Sequence, residues 1–217
     1  MILDIFLSPR NYFLRLKENP LFVIPLIIIL LFVAIQTYVA TRYTDVSEII
    51  KRMEERGAPP EQIERVEEFF KRPTRLIISL LSALIVTLIF LLIITLIFNF
   101  SLPLLGVEGN FKKTFAVVCG AGLVSAFGSL IRSIIIILRQ SPFITTSLAL
   151  FLPKEKGLLF NFLSRFDFFT IWQIILIAFG LKIVFDIKSN KTYYLVFGFW
   201  LFWVIISTFL FRGPQRV

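Results

Sequence analysis

The side chains able to carry chemistry are few and sit among apolar runs. The charged ones are Arg132, Asp167, Lys182 and Asp186, and the neutral polar ones include Ser125, Ser129, Gln173, Asn99 and the single cysteine, Cys119. Histidine is absent. That removes the commonest general base and the commonest transition-metal ligand, and one cysteine allows neither an intramolecular disulfide nor a thiol pair. Ser125 and Ser129 have Arg132 as their ionisable neighbour, and a guanidinium keeps its proton, so no nucleophile and base stand together. The expectation is therefore a non-enzymatic chain with no catalytic residues, no cofactor and no metal site. What remains for the charges is pairing, contact with lipid or a path for a solute.

Each charge has a structural and a functional reading. Six uncharged residues separate Arg132 from Arg139, which puts it about 9 to 10 Å of helix inside the next charge. Its long stem can snorkel to the interface or pair within the protein; alternatively, its planar fork can hold an anion or a lipid headgroup in a polar cavity. Asp167 follows Ser164-Arg165-Phe166, so Ser164 can cap a helix whose positive dipole end Asp167 then faces, or Asp167 can pair between helices with Arg132 or Arg165. Lys182 and Asp186, four apart, can pair along one helix face while Lys182 reaches for the interface.

The elements that must position these groups are five long apolar stretches, at about 21–41, 76–98, 115–138, 168–186 and 193–211. Three of them, 21–41, 76–98 and 193–211, carry no charge. About 20 residues at about 1.5 Å each match a hydrocarbon core of about 30 Å, so these predict transmembrane helices. Composition agrees: 57% hydrophobic against 17% charged residues, with a mean hydropathy of +0.86, lies outside the soluble range. The expected fold class is all-α, a polytopic membrane bundle of five helices in one domain. The net charge of +9 then belongs to loops that touch anionic headgroups and not to a nucleic-acid surface. Partners follow from this: membrane lipids, including anionic ones, together with a protein partner or a second copy of the chain, and no nucleic acid.

Outside the spans, residues 1–19 read as a short helix lying in the membrane interface. Ser8-Pro9 supplies the N-cap and first turn, and Arg10, Arg15 and Lys17 follow the apolar start, the wrong order for a secretory leader. Residues 42–75 hold eight basic and eight acidic side chains and read as an extramembrane helical hairpin. Asp45 and Glu48 suit a capping box, Gly57-Ala58-Pro59-Pro60 breaks the pair, and Ile63, Val66, Phe69 and Phe70 line the second helix. The apolar run 143–152 is too short to cross and predicts an interfacial or re-entrant helix. The third span is rich in small residues, Gly120, Ala121, Gly122, Ser125 and Gly128, and Gly180 stands in the fourth; such residues let helix backbones approach closely. Ala121, Ser125, Gly128 and Arg132 fall near one face.

Asp167-Phe168-Phe169-Thr170-Ile171-Trp172, followed by Ile177-Ala178-Phe179-Gly180-Leu181-Lys182, resembles the signature of the Yip family of five-span membrane proteins. Ser8-Pro9 to Phe13, the entry at Pro20, Asn110-Phe111-Lys112-Lys113 and Lys191 before the last span are similar too, so the resemblance covers nearly the whole chain. With about twenty residues before the first span, the chain resembles prokaryotic members; eukaryotic ones carry a longer cytosolic region and bind Rab-type GTPases in vesicle traffic. The resemblance implies a cytosolic N-terminus and an outside C-terminus. Eight basic residues then lie on the cytosolic side against fourteen opposite, eight of these fourteen in the hairpin, so the positive-inside rule points the other way.

For function, the resemblance implies a membrane organiser that binds protein or lipid partners. The alternative is a small-solute or ion transporter or channel built around the third and fourth spans, suggested by Arg132, Asp167 and the short apolar run. No internal repeat is visible, which suits an oligomeric pore better than an inverted-repeat carrier.

Overall fold

A computed structural model describes residues 2–55, 57–140, 146–152 and 158–210, apart from the side chains of Arg52 and Leu210. Ten α-helices are described: α1 Asp4–Leu7, α2 Pro9–Glu18, α3 Val23–Tyr43, α4 Val46–Glu55, α5 Pro60–Lys71, α6 Arg75–Ser101, α7 Phe111–Arg139, α8 Leu158–Leu163, α9 Phe168–Val184 and α10 Lys191–Leu210. Among the described residues no strand forms beyond an isolated bridge between Ser147 and Asp167. The chain is an all-α membrane protein. Four helices, α3, α6, α7 and α10, are long and apolar enough to cross a bilayer, and α9, at 17 residues, is a shorter apolar helix. At about 1.5 Å per residue α9 is about 25 Å long, at the lower limit for a span.

The fold is organised around α7. Sixteen of its 29 residues are buried, against four of 27 in α6, so α7 is the axle and α6 an outer helix. Asn110 starts α7 by accepting the Lys113 N–H at 3.0 Å, and Gln140 ends it in the left-handed conformation. Against α7 pack α3, α6, α9 and the short α1 and α2. The last helix, α10, rests on α9, and Phe199 meets Phe98 of α6 edge-on. Ile77, Leu81, Ile85 and Ile89 of α6 are exposed, as expected of a face whose solvent is hydrocarbon.

In such a solvent apolar burial cannot pull helices together, so close packing must. Three glycines of α7 make this possible, each toward a different neighbour. A Cβ on Gly120 would lie 2.7 Å from the Tyr12 ring, one on Gly122 would lie 2.9 Å from Ile29 of α3, and one on Gly128 would lie 2.4 Å from the Phe169 ring of α9. Gly180 of α9 is equally confined, with Phe13 2.5 Å and Val117 2.8 Å from the missing Cβ.

The first 19 residues do more than lie in an interface. Tyr12, Phe13 and Leu16 are buried, and α2 seats them in the groove between α7 and α9. Ser8 precedes α2 but its side chain makes no capping bond; Pro9 in the first turn starts the helix. From α1, Phe6 meets Phe127 and Trp172 edge-to-face, with ring centres 5.6 and 5.7 Å apart. Burial, with the Cys119 thiol as a lesser cause, raises the Tyr12 hydroxyl well above the usual phenol range, so it stays neutral.

The hairpin α4–α5 stands apart, meeting the bundle mainly where the end of α5 comes against α6, and α5 has no buried residue. Asp45 accepts the Ser47 N–H at 2.9 Å, and Gly57, with φ of 71°, makes the turn.

Alanine at a helical glycine is normally favourable by up to about 1 kcal/mol, because glycine loses more backbone entropy. Here the sign reverses at packed sites. Gly128→Ala and Gly180→Ala are each expected to cost about 1–3 kcal/mol by overpacking, whereas Gly198→Ala, with nothing within 4 Å of the added Cβ, is neutral or stabilising. Equilibrium unfolding in mixed micelles measures all three; equal effects at Gly128 and Gly198 contradict the packing account.

Candidate functional site

The register between α7 and α9 decides which side chains meet. The helices run antiparallel, with Val117 against Gly180, Ser125 against Gln173, Gly128 against Phe169 and Arg132 against Asp167. The face expected to carry Ala121, Ser125, Gly128 and Arg132 is thus the α9 contact, with Ala121 fully buried. Ser125 donates to the Gln173 amide oxygen. That spends the polar groups at mid-span on each other.

At one end of this contact lies a polar centre. Arg132 Nη2 is 3.8 Å from Asp167 Oδ1, an ion-pair distance too long for a hydrogen bond. Asp167, 8% exposed, is itself the N-cap of α9: Oδ1 accepts the backbone N–H groups of Phe169 and Thr170 at 3.0 and 3.2 Å. Oδ2 accepts from the Thr146 hydroxyl. The cap and the inter-helix pair, alternatives in the sequence, coexist on one carboxylate. Ser164 is not the cap; its hydroxyl donates to Asn161 O at 2.7 Å.

The centre sits inside the bundle because α9 is short. Asp167 is level with Arg132, seven residues before the end of α7, and Phe166 packs on Trp200, ten residues before the end of α10, with ring centres 5.2 Å apart. By helix rise α9 begins about 10 to 15 Å inside those ends. At its other end it is flush with its neighbour: Lys182 donates to Asn190 at 2.6 Å and lies 5.9 Å from the centre of the Tyr193 ring, both at the start of α10. Residues 146–152 pair with the backbone that leads into α9, and α8 packs on their 3-10 turn and on α10. Of the run 143–152, residues 143–145 lie outside the described residues; the rest is not the continuous helix expected. Ser147 bridges to Asp167, Leu148 N donates to Phe166 O at 3.1 Å, and Leu148–Phe151 form one 3-10 turn. Pairing with the backbone before α9 satisfies groups that a free apolar helix would not offer.

Lys182 and Asp186 do not pair with each other. The helix stops at Val184, two residues before the expected end, in a Schellman closure: Ile187 N bonds Lys182 O at 2.9 Å and Asp186 N bonds Ile183 O at 3.4 Å. Asp186 takes the left-handed position, with φ of 55°, and this turns its carboxylate off the helix face toward Lys17 of α2 at 2.7 Å. That pair is exposed and contributes little stability, but it ties α2 to the end of α9.

The arrangement has little to offer acid–base or metal chemistry. Both Asp167 oxygens already accept, Ser129 and Ser133 donate to the Ala126 and Ser129 carbonyls, and among the described residues no group of three His, Cys, Asp or Glu side chains is placed to hold a metal. The sequence reading missed Thr146 and Ser147. Their signal was the row of three adjacent hydroxyl residues, Thr145-Thr146-Ser147, inside an otherwise apolar run.

The Yip1 domain matches residues 3–211, almost the whole chain. The chain belongs to the Yip1 domain family. A relative in Bacillus subtilis (strain 168), "Membrane protein YknW", is 27% identical over 210 residues, which cover 95% of this chain and 87% of the relative. No solved structure matches. The protein is thus a Yip1-domain integral membrane protein, and the polar centre begins within its Asp-Phe-Phe-Thr segment.

Because Asn keeps a capping oxygen, Asp167→Asn removes the ion pair and leaves the cap. Combined with Arg132→Gln in a double-mutant cycle read by micelle unfolding, a coupling of about 1 kcal/mol is expected. Strict additivity shows that the 3.8 Å contact is incidental. Asp167→Ala loses cap and pair together and costs more than Asp167→Asn, by about 1 kcal/mol.

Proposed function

We propose that this Yip1-domain protein is a non-enzymatic membrane organiser, which binds protein or lipid partners at its ends and passes no solute through its middle. The observation that carries this reading is where the polar groups are spent. Along the α7–α9 contact they bond one another, as Ser125 does Gln173, and Thr114 reaches Asn99 of α6 at 3.2 Å. Outside the bundle, α4 and α5 present Ile49, Ile50, Met53, Ile63 and Val66, all part-exposed, amid acidic and basic side chains. An amphipathic hairpin held by one end is suited to docking. We place the protein in a prokaryotic cell membrane, N-terminus cytoplasmic and C-terminus outside, as the family implies.

The second reading, a transporter or channel, draws on the Arg132–Asp167 pair at the recessed start of a short helix, because ionisable residues inside a bundle often mark pathways.

Affinity purification in mild detergent separates the two. Proteins that co-purify with the intact chain and are lost when residues 46–71 are replaced by a short flexible linker support the organiser; solute flux into proteoliposomes that Arg132→Gln abolishes supports transport. For orientation, a reporter fused after Val217 is expected to be active only outside the cytoplasm, and cytoplasmic activity reverses the assignment.

A further inference from the structure

Cavities outside the polar centre, among the described residues, include a 240 Å³ cleft between α2 and the start of α3, a 620 Å³ hollow within the hairpin, and a 250 Å³ cavity where α3 and α5 end and α6 begins. The first contains Arg15, which is already paired with Asp4, and Glu18. The second is lined by Glu54, Glu64 and Glu67 with no base among them. In the third a held cation, unspent hydrogen-bonding groups and an aromatic wall meet, and among the described residues no carboxylate lines it.

Arg75 is the cation. One terminal nitrogen donates to Thr41 O at 3.2 Å, and the guanidinium carbon stands 5.0 Å from the centre of the Phe70 ring. These contacts fix the plane of the fork and leave the other N–H donors unspent. Gln36 and Thr37 of α3 and Ser79, one turn into α6, face the same space, and their side chains make no hydrogen bond among the described residues. The positive end of α6 is offset here by the negative ends of α3 and α5, so Arg75 carries the attraction for an anion.

We propose that this cavity is a phosphate site, filled by the headgroup of an anionic phospholipid. A fixed, half-buried guanidinium beside neutral donors is the chemistry that recognises a phosphate ester. The depth fits: Thr41 is two residues from the end of α3 and Arg75 is the first residue of α6, so the cavity is level with the helix ends, where phosphates lie. The size fits too. At about 30 Å³ per water, 250 Å³ holds about eight water-sized groups, enough for a phosphate and a short polyol but not for acyl chains. Those have their own place, because Ile77, Ile78 and Leu81 of α6 are exposed next along the same helix. A bound headgroup joins Phe70 of α5 to α3 and α6, so lipid composition sets how the hairpin stands on the bundle. The inference deepens the organiser reading by naming a lipid partner, and a failure here leaves a co-purifying protein partner intact.

The test titrates the full chain, in a neutral detergent, with dihexanoyl phosphatidylglycerol and separately with inorganic phosphate, reading the unfolding temperature. Saturable stabilisation by the lipid, weakened at least tenfold in Arg75→Gln and unchanged in Arg42→Gln, is the expected result. Competition by inorganic phosphate supports the phosphate as the recognised group; a lipid effect without competition supports the intact headgroup. Stabilisation by phosphate but not by the lipid overturns the assignment. So does an equal loss in Arg42→Gln, an exposed base at the end of α3, because bulk charge then explains the effect. If Arg75→Gln does not fold, the Thr37→Val, Ser79→Ala double variant is read instead; it is expected to weaken lipid binding several-fold, and unchanged binding overturns the site.

Discussion

Close approach of α7 to its neighbours is the constraint on which the rest of the structure depends. Lipid tails are as apolar as leucine, so a helix gains nothing by burying an apolar face against another helix in place of lipid. What remains is dispersion at short range, and that needs backbones near each other. Gly120, Gly122 and Gly128 admit Tyr12, Ile29 and Phe169 into space that any side chain would occupy. With these seats filled, α2, α3 and α9 are fixed around one axle. Without them the same apolar helices would have no preferred register, because leucine-rich surfaces slide on one another at small cost.

The length of α9 sets the second constraint. A 17-residue helix beside helices of 29 and 20 residues leaves a gap at one end, and a helix that begins in a gap has leading N–H groups with no water to meet. Asp167 answers those amides, but a carboxylate in such a place needs a counter-charge, and Arg132 stands across from it. Thr146 and the bridge from Ser147 complete the set. The polar centre therefore follows from a helix being short, and each of its members answers a group exposed by the previous one. This explains why charged residues lie inside an apolar bundle without requiring that they touch a substrate.

Much of the fold was legible in the sequence because the governing signal, apolar length, is strong and local. The long stretches are helices, and the face of the third span that carries Ser125, Gly128 and Arg132 meets the fourth, while Gly120 and Gly122 turn to α2 and α3. The site was legible only in part. Arg132 and Asp167 stood out as charges among apolar residues, but whether Asp167 would cap or pair depended on a register that no local pattern encodes, and it does both. Ser164 looked like the cap because it precedes the apolar run, yet the backbone turns helical only after Asp167. Lys182 and Asp186 looked paired because four-residue spacing assumes a helix that continues; the left-handed closure at Asp186 breaks that assumption. Residues 1–19 showed their amphipathic pattern, but not that Gly120 and Gly180, far along the chain, would provide seats for Tyr12 and Phe13.

The two ends of the bundle differ in a way that bears on function. At the end where α2, α9 and α10 meet, polar contacts are short tethers, Lys17 to Asp186 and Lys182 to Asn190, which close the structure. The opposite end carries the hairpin, the cavity beside Arg75 and the recess before α9, all formed by segments that leave or re-enter the helical bundle. Lipid-facing helix sides are interchangeable among membrane proteins of one size, whereas ends of this kind present particular shapes and charges. If partner choice is the task of this Yip1-domain protein, the physical means to make the choice lie at the hairpin end, with the axle α7 holding that end in a fixed relation to the bilayer.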